Sequence, residues 1–270
     1  NVVMEEETIG IDEVVAIGYG TMKKSDLTGS VSQVKSEELN AFPSSNLLQA
    51  LSGRTSGVKV IQNTGAPGAS TSIRIRGSNS IQGSNEPLYV VDGFPINNST
   101  ALNNSDIESI EILKDASSTA IYGSRGANGV VLITTKRGKA GKNVIDFESS
   151  YSSQSLIKKL DLMNAGEYAT LYNRKAVNDG VAPYFTESEI SNFGNGYDWQ
   201  DLVYQTAPIL TSSLNVSGGN EKTKFSISGS ILNQDGIIHG SDYDRYSIRS
   251  NIDHQFSKKF SAVLSSTFTR

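Results

Sequence analysis

Lys224-Phe225-Ser226-Ile227-Ser228-Gly229-Ser230-Ile231 alternates polar with apolar or small residues without a break. A period of two puts Phe225, Ile227, Gly229 and Ile231 on one face of a strand, and Lys224, Ser226, Ser228 and Ser230 on the other. The pattern recurs upstream. Leu210, Leu214 and Val216 alternate with Thr211, Ser213, Asn215 and Ser217, and before them Ile145, Phe147, Ser149 and Tyr151 oppose Asp146, Glu148 and Ser150. It recurs downstream as well. Tyr246, Ile248 and Ile252 oppose Ser247, Arg249, Asn251 and Asp253, and Phe260, Ala262, Leu264 and Phe268 face away from Ser261, Ser265 and Thr267. Five successive two-faced strands are expected.

Their connections alternate in length. A long excursion over roughly 156–208, with a helical piece near 165–177, is followed by the short Gly218-Gly219-Asn220-Glu221. A longer loop around 233–244 comes next, and then Ser257-Lys258-Lys259. Long, short, long, short is the arrangement of outer-membrane barrels, with short periplasmic turns and longer external loops. A soluble β-sandwich has strands of the same kind, but its loops need not sort by side. The barrel is the expectation. Five strands cannot close one, so further strands are expected outside this chain.

Residues 21–138 read differently. Leu47, Leu48 and Leu51 are at helical spacing with Gly53 placed to stop a helix. Ile73 and Ile75 alternate with Arg74 and Arg76. Leu88-Tyr89-Val90-Val91 is a buried strand entering a turn at Asp92-Gly93. Ile107, Ile110 and Ile112 lead to Asp115, a candidate N-cap for a helix over 116–122 that Gly123 ends. Val130-Val131-Leu132-Ile133 is a second buried strand, halted by Lys136-Arg137-Gly138-Lys139. Strands and helices at this density describe a small α+β domain.

Composition narrows the function. Of 270 residues, 37% are hydrophobic and 19% charged, with 25 glycines, which favours a turn-rich β protein. A net charge of -4 argues against a nucleic-acid partner, which needs a clustered basic surface. The chain has no cysteine, so disulfides and thiolate metal sites are excluded. No apolar run approaches the roughly 20 residues of a membrane helix, although a barrel strand would leave no such signal. Asn1-Val2-Val3-Met4 shows no charged-then-apolar leader pattern and reads as the tail of a strand with partners upstream. The chain is expected to be an internal piece of a longer precursor.

Several stretches carry a resemblance. Asp12-Glu13-Val14-Val15-Ala16-Ile17-Gly18-Tyr19-Gly20-Thr21, Leu27-Thr28-Gly29-Ser30-Val31-Ser32, Ile73-Arg74-Ile75-Arg76-Gly77 and Pro87-Leu88-Tyr89-Val90-Val91-Asp92-Gly93 are four of them. The most specific runs from Ile110-Glu111-Ile112-Leu113-Lys114-Asp115-Ala116-Ser117 to Ala120-Ile121-Tyr122-Gly123-Ser124-Arg125-Gly126-Ala127-Asn128-Gly129-Val130. Tyr197-Asp198-Trp199 and Val216-Ser217-Gly218-Gly219 complete the set. Together they resemble the SusC/RagA-like TonB-dependent outer-membrane transporters. Ala16 departs from the usual third valine, which slightly lowers strand propensity there.

The resemblance implies an α+β plug domain followed by antiparallel strands of a large transmembrane β-barrel of about 22 strands, incomplete in this chain. Residues 1–10 would be the end of a preceding small β-sandwich domain and an acidic linker. Residues 11–20 would be a TonB-box segment, 21–138 the plug, and 139–270 the first strands and loops of the barrel. The protein would sit in a Gram-negative outer membrane, in contact with its lipid. It would pair with a SusD-like surface lipoprotein and import oligosaccharides, or in some members peptides, on energy from TonB and its inner-membrane complex. No cofactor is implied.

Three sets of site residues follow. Asp12, Glu13, Val14, Val15, Ala16 and Ile17 form an extended, β-branched segment that could add to a partner's sheet edge. The same residues could simply be the plug's first strand. Arg74, Arg76 and Arg125 could hold the plug by ion pairs to carboxylates on the barrel's inner wall, or lie on an exposed strand face or turn. The polar loops 79–85 and 94–104 could face substrate through Asn79, Ser80, Gln82, Asn85, Asn97 and Asn98, residue types that equally suit ordinary turns.

Rival chemistries find less support. Gly18-Tyr19-Gly20 precedes no capped helix and no G-x-x-x-x-G-K-[ST] occurs, so its glycines read as turn positions rather than a phosphate cradle. The histidines are His239 and His254, with no G-x-S-x-G and no metal-binding pair. Enzymatic activity is not expected. A surface adhesion protein without transport, and a signal-transducing receptor, remain the alternatives.

Overall fold

The computed structural model describes residues 14–17, 20–23, 31–40, 46–62, 64–80, 83–96 and 102–270. Asn1–Met4, Glu5–Glu7, Asp12, Glu13, Gln82, Asn97 and Asn98 lie outside them. Val14–Ile17 (β1) and Gly20–Lys23 (β2) pair as an antiparallel hairpin, Val14 opposite Lys23. The hairpin is a two-stranded sheet of its own.

A five-stranded sheet organises the α+β block. Its strands are Val31–Lys35 (β3), Leu88–Val91 (β6), Phe94–Ile96 (β7), Ile107–Leu113 (β8) and Val130–Thr135 (β9), in the order β3-β8-β9-β6-β7. β6 and β9 run parallel and the other pairs antiparallel. β9 is central, and Val130 to Ile133 are all buried, as a strand covered on both faces requires. Val131 and Ile133 pack with Ile110, Ile112, Leu47, Leu48, Leu51, Ile73 and Ile75; Val130 and Leu132 pack on the other face with Leu113 and Tyr122. Val58–Gln62 (β4) and Thr71–Ile75 (β5) form the hairpin that brings Ile73 and Ile75 into this core. Burying a side chain of this size stabilises by roughly 1.5–3 kcal/mol.

Two expected helices are shorter than their sequence signals. Between Leu47 and Gly53 there is one 3-10 turn, Gln49–Leu51, whose buried residues plug the core without propagating. After Asp115, Ala116–Thr119 (α2) gives way to a 3-10 segment, Ala120–Gly126, broken at Gly123 by φ 58°. Asp115 does not cap α2 with its side chain. Its carboxylate instead meets the Arg76 guanidinium at 2.5 Å. A charged partner in reach outcompetes the backbone amides the carboxylate would otherwise accept from. Ser36–Asn40 (α1) follows β3 directly.

The second five-stranded sheet is an antiparallel meander of Val144–Gln154 (β10), Ala207–Gly219 (β11), Thr223–Asp235 (β12), Asp242–Ser257 (β13) and Phe260–Thr269 (β14). Its burial is inside out. The apolar residues Phe147, Leu214, Ile227, Ile248 and Phe268 are exposed, while Ser213, Asn215, Ser228, Ser247, Arg249 and Asn251 are buried against the α+β block. A soluble sandwich buries its apolar face, so this sheet is the wall of a barrel whose outer face meets lipid.

The long excursion carries Ala165–Asn178 (α3), Glu187–Asn192 (α4) and Trp199–Val203 (α5). Capping boxes start two of them, Asn164 with Glu167 and Thr186 with Glu189. Tyr172 against Tyr184, and Phe185 edge-on to Phe193, hold α3 and α4 together.

Candidate functional site

The site is the seam between the α+β block and the wall. Val91 and Phe94 pair across a two-residue turn in which Asp92 and Gly93 both have positive φ, 48° and 89°. A tight hairpin demands such angles, and Asp-Gly tolerates them. The turn aims the Asp92 carboxylate at the end of β9, where Oδ1 accepts from the Thr135 amide (3.0 Å) and Oδ2 from the Thr135 hydroxyl (2.6 Å). The wall supplies the third donor, as Arg249 Nη2 reaches Oδ2 at 2.9 Å.

Three wall-side groups read the end of β9 in succession. Arg249, Asn251 and Asp253 stand two residues apart on β13 and therefore share its inner face. Arg249 also donates to Thr135 Oγ1 (3.2 Å) and Thr267 Oγ1 (3.0 Å). Asn251 donates to Thr135 Oγ1 (3.1 Å) and the Lys136 carbonyl (3.3 Å). Asp253 accepts from Arg137 at 2.5 Å, and the same guanidinium lies 3.8 Å from Asp92. The chain of charges thus alternates Arg249, Asp92, Arg137, Asp253 across the seam. Arg249 Nε and Asn251 Oδ1 are buried without hydrogen-bond partners. The seam is dense in charges and incomplete in its hydrogen bonds.

Backbone approaches the wall beside this chain of charges. A Cβ on Gly138 would come closer than 3.0 Å to the carbonyl oxygens of Phe225 and Gly218, which backbone cannot yield easily. At the opposite end, Gly68 (φ 66°) lies under the Tyr243 ring and its amide donates to Gln234 Oε1 at 3.4 Å. Asp106, on the block's side, meets Ser228 of the wall. Burial pushes its carboxyl above the usual range, while the Ser228 hydrogen bond and the Arg249 charge pull it back.

The residues singled out from sequence have other company. Arg76 pairs with Asp115 and Arg74 donates to Ser78 Oγ at 2.7 Å, both inside the block. Arg125 is exposed. On the wall, Arg249 and Asp253 pair instead with Asp92 and Arg137 of the block. In the 79–85 loop, the amides of Asn79 and Ser80 both donate to Asn85 Oδ1 (2.7 and 2.8 Å), and Asn85 Nδ2 returns a bond to the Ser80 carbonyl (2.8 Å). Asn128 ties the same loop down through the Ser84 carbonyl at 2.8 Å. The polar groups of Asn79, Ser80 and Asn85 shape the loop itself. What sequence reading missed was Asp92, read as a turn residue, and Arg249, read as one polar member of a strand face. The available signal was three large polar side chains in a row at 249, 251 and 253, where neighbouring strands carry serines.

Comparison with known proteins agrees with this architecture. The family model of the TonB-dependent receptor plug domain matches residues 23–130. A TonB-dependent receptor of Formosa agariphila is 44% identical over 265 residues, 98% of this chain and 25% of that protein. The TonB-dependent receptor SusC of Bacteroides thetaiotaomicron is 37% identical over 266 residues, 95% of this chain and 26% of its own length. The structure of the RagAB peptide importer in its open-open state superposes with a TM-score of 0.82 at 31% identity, over 95% of this chain and 32% of that one. The chain spans about a quarter of the length of the curated relatives it matches. It belongs to the SusC/RagA-like TonB-dependent receptors of the outer membrane, of which it comprises the plug and five strands of the barrel wall.

Proposed function

We propose that this chain is the stopper and opening wall of an importer that carries an oligosaccharide or glycan fragment across the outer membrane. The observation that carries this reading is the seam. A plug held by apolar packing would be a permanent part of the core. This one is seated through Asp92, Arg137, Arg249, Asn251 and Asp253, polar contacts that water can replace when the plug is drawn aside. The drawing force would enter through residues 12–17, captured by TonB as an added strand. β1 suits that role, since its hairpin with β2 is joined to no other described sheet. A SusD-like lipoprotein would cover the outer mouth.

A peptide substrate is the second reading, favoured by the likeness to the RagAB peptide importer. The test is uptake by cells expressing the full-length receptor, with labelled oligosaccharides and labelled peptides, with and without TonB. Accumulation that requires TonB is expected. Uptake unchanged without TonB would sink the pulling mechanism, and surface binding without accumulation would leave an adhesion protein. Accumulation of peptides but not oligosaccharides would select the second reading.

A further inference from the structure

The two ends of the wall differ in charge. At the short-turn end, Lys139 and Lys142 precede β10, Lys222 lies between β11 and β12, and Lys258 and Lys259 lie between β13 and β14, all exposed, against Glu221 as the acid in these turns. At the other end, the excursion carries more acids than bases, including Asp161, Asp179, Glu187 and Asp201, and Asp235, Asp242 and Asp244 flank the next loop. Short turns face the periplasm in outer-membrane barrels. The basic end therefore lies at the inner leaflet, where the lipids are glycerophospholipids.

A second observation falls at the same place. Phe256 and Phe260 flank the Lys258-Lys259 turn and are each 61% exposed. Their rings lie 5.2 Å apart, and His254 packs edge-on against Phe256 at 4.4 Å. A register shift between Gln255 and Ser257 sets this group at the end of the ladder. Aromatic rings at the end of a lipid-facing strand sit at headgroup level, and lysines just beyond them reach the phosphates.

We infer that the Lys222 and Lys258-Lys259 turns, with the Phe256–Phe260 pair, form a docking surface for anionic phospholipid headgroups of the inner leaflet. The aromatic pair fixes depth and the ammonium groups select charge. Such a contact would hold the wall still while the plug is pulled toward the periplasm from the same side.

The test uses the full-length receptor purified in a neutral detergent, titrated with phosphatidylglycerol or with phosphatidylcholine of the same acyl chains. Thermal stability and native mass spectrometry report binding. Phosphatidylglycerol should raise the melting temperature more and remain bound more often, and high salt should abolish the difference. Lys222→Gln, Lys258→Gln and Lys259→Gln should each lower its affinity by roughly fivefold. Lys158→Gln, at the acidic end, should leave it unchanged. Equal response to the two lipids, a preference that survives high salt, or an equal response to inorganic phosphate would overturn the inference. The lipid and salt comparisons need only the wild-type protein, so a variant that fails to fold does not rescue it.

Discussion

Asp92 of the plug accepts from Arg249 of the wall at 2.9 Å, with side chains only 4% and 7% exposed. A pair this buried is not strong evidence of stability, because taking both charges out of water offsets much of their attraction. Removing one partner is another matter, since the survivor stays buried and unpaired. Asp92→Asn is the informative change: asparagine tolerates φ near 48° and keeps the size of the side chain while losing the charge and one of the two acceptor oxygens. It should weaken plug seating by about 3–5 kcal/mol. Hydrogen exchange in the full-length receptor should rise along β9 and in the inward-facing part of β13. Exchange equal to wild type would mean that the seam is held by something other than this pair.

Gly138 makes the complementary, steric prediction. An alanine there would drive its methyl into the carbonyls of Phe225 and Gly218. Overpacking of this kind costs about 1–3 kcal/mol, and the backbone on both sides resists relaxation. Gly138→Ala should lower the urea midpoint of the full-length receptor, whereas Gly141→Ala, which meets open space, should reveal only the strain of its φ of 74°. The discriminating readout is proteolysis within the 136–143 segment, which should increase for Gly138→Ala alone.

These positions show how far the sequence could be read. The strands were legible because side-chain alternation is local: Phe225 to Ile231 announce a two-faced strand without reference to any partner. The direction of burial was not local. Whether Ile227 or Ser228 faces inward depends on what fills the barrel, and loop lengths supplied that only indirectly. The ion pairs were less legible still. Asp92 and Arg249 are separated by 157 residues, and nothing near either one names the other. Arg74 and Arg76 alternate with buried Ile73 and Ile75, which suggests a partner on the barrel wall, yet a nearer carboxylate, Asp115, takes Arg76. The helix expected at 47–51 failed for a related reason, since the turn is fixed by packing Leu47, Leu48 and Leu51 into the core rather than by helical spacing.

Lys114 provides a pH-dependent check on the plug. Its ammonium donates to Ser32 Oγ and the Ser56 carbonyl, both at 2.6 Å. Burial, and next the nearby Arg76 charge, push its pKa below the ordinary 10.5, with Asp115 opposing. A folded-state value below the unfolded one means the folded plug releases the proton first as pH rises. Stability should therefore increase through the depressed value and level off above 10.5. Comparing melting temperatures of wild type and Lys114→Gln, the difference should move in favour of wild type as the solution becomes alkaline. A difference independent of pH would refute the assignment.

Orientation can be tested from outside the cell. If the short turns face the periplasm, a cysteine at Ser191, in α4, should react with an impermeant reagent on intact cells, and one at Ser257 should not. These 270 residues contain no cysteine, and labelling of the unsubstituted receptor sets the background for each variant. Surface labelling of Ser257→Cys without labelling of Ser191→Cys would invert the topology, and with it the lipid assignment of the lysine turns.

Energy coupling is the remaining prediction, and it rests on β1. Val14, Val15 and Ile17 favour an extended backbone, and in the resting protein that backbone is paired to β2 with Val14 opposite Lys23. For TonB to capture 12–17 as a strand, this short hairpin must open, and two four-residue strands resist little by themselves. Val14→Pro removes one amide donor and fixes φ, so it disfavours any ladder that uses this position, whether with β2 or with TonB. Val14→Thr keeps β-branching and the amide and should behave as wild type. Both variants should bind substrate normally when purified, because the plug and its outer loops are unaltered. Uptake in cells separates them: lost in Val14→Pro, retained in Val14→Thr. Normal uptake by Val14→Pro would show that β1 is simply a strand of the plug, and that the force enters elsewhere.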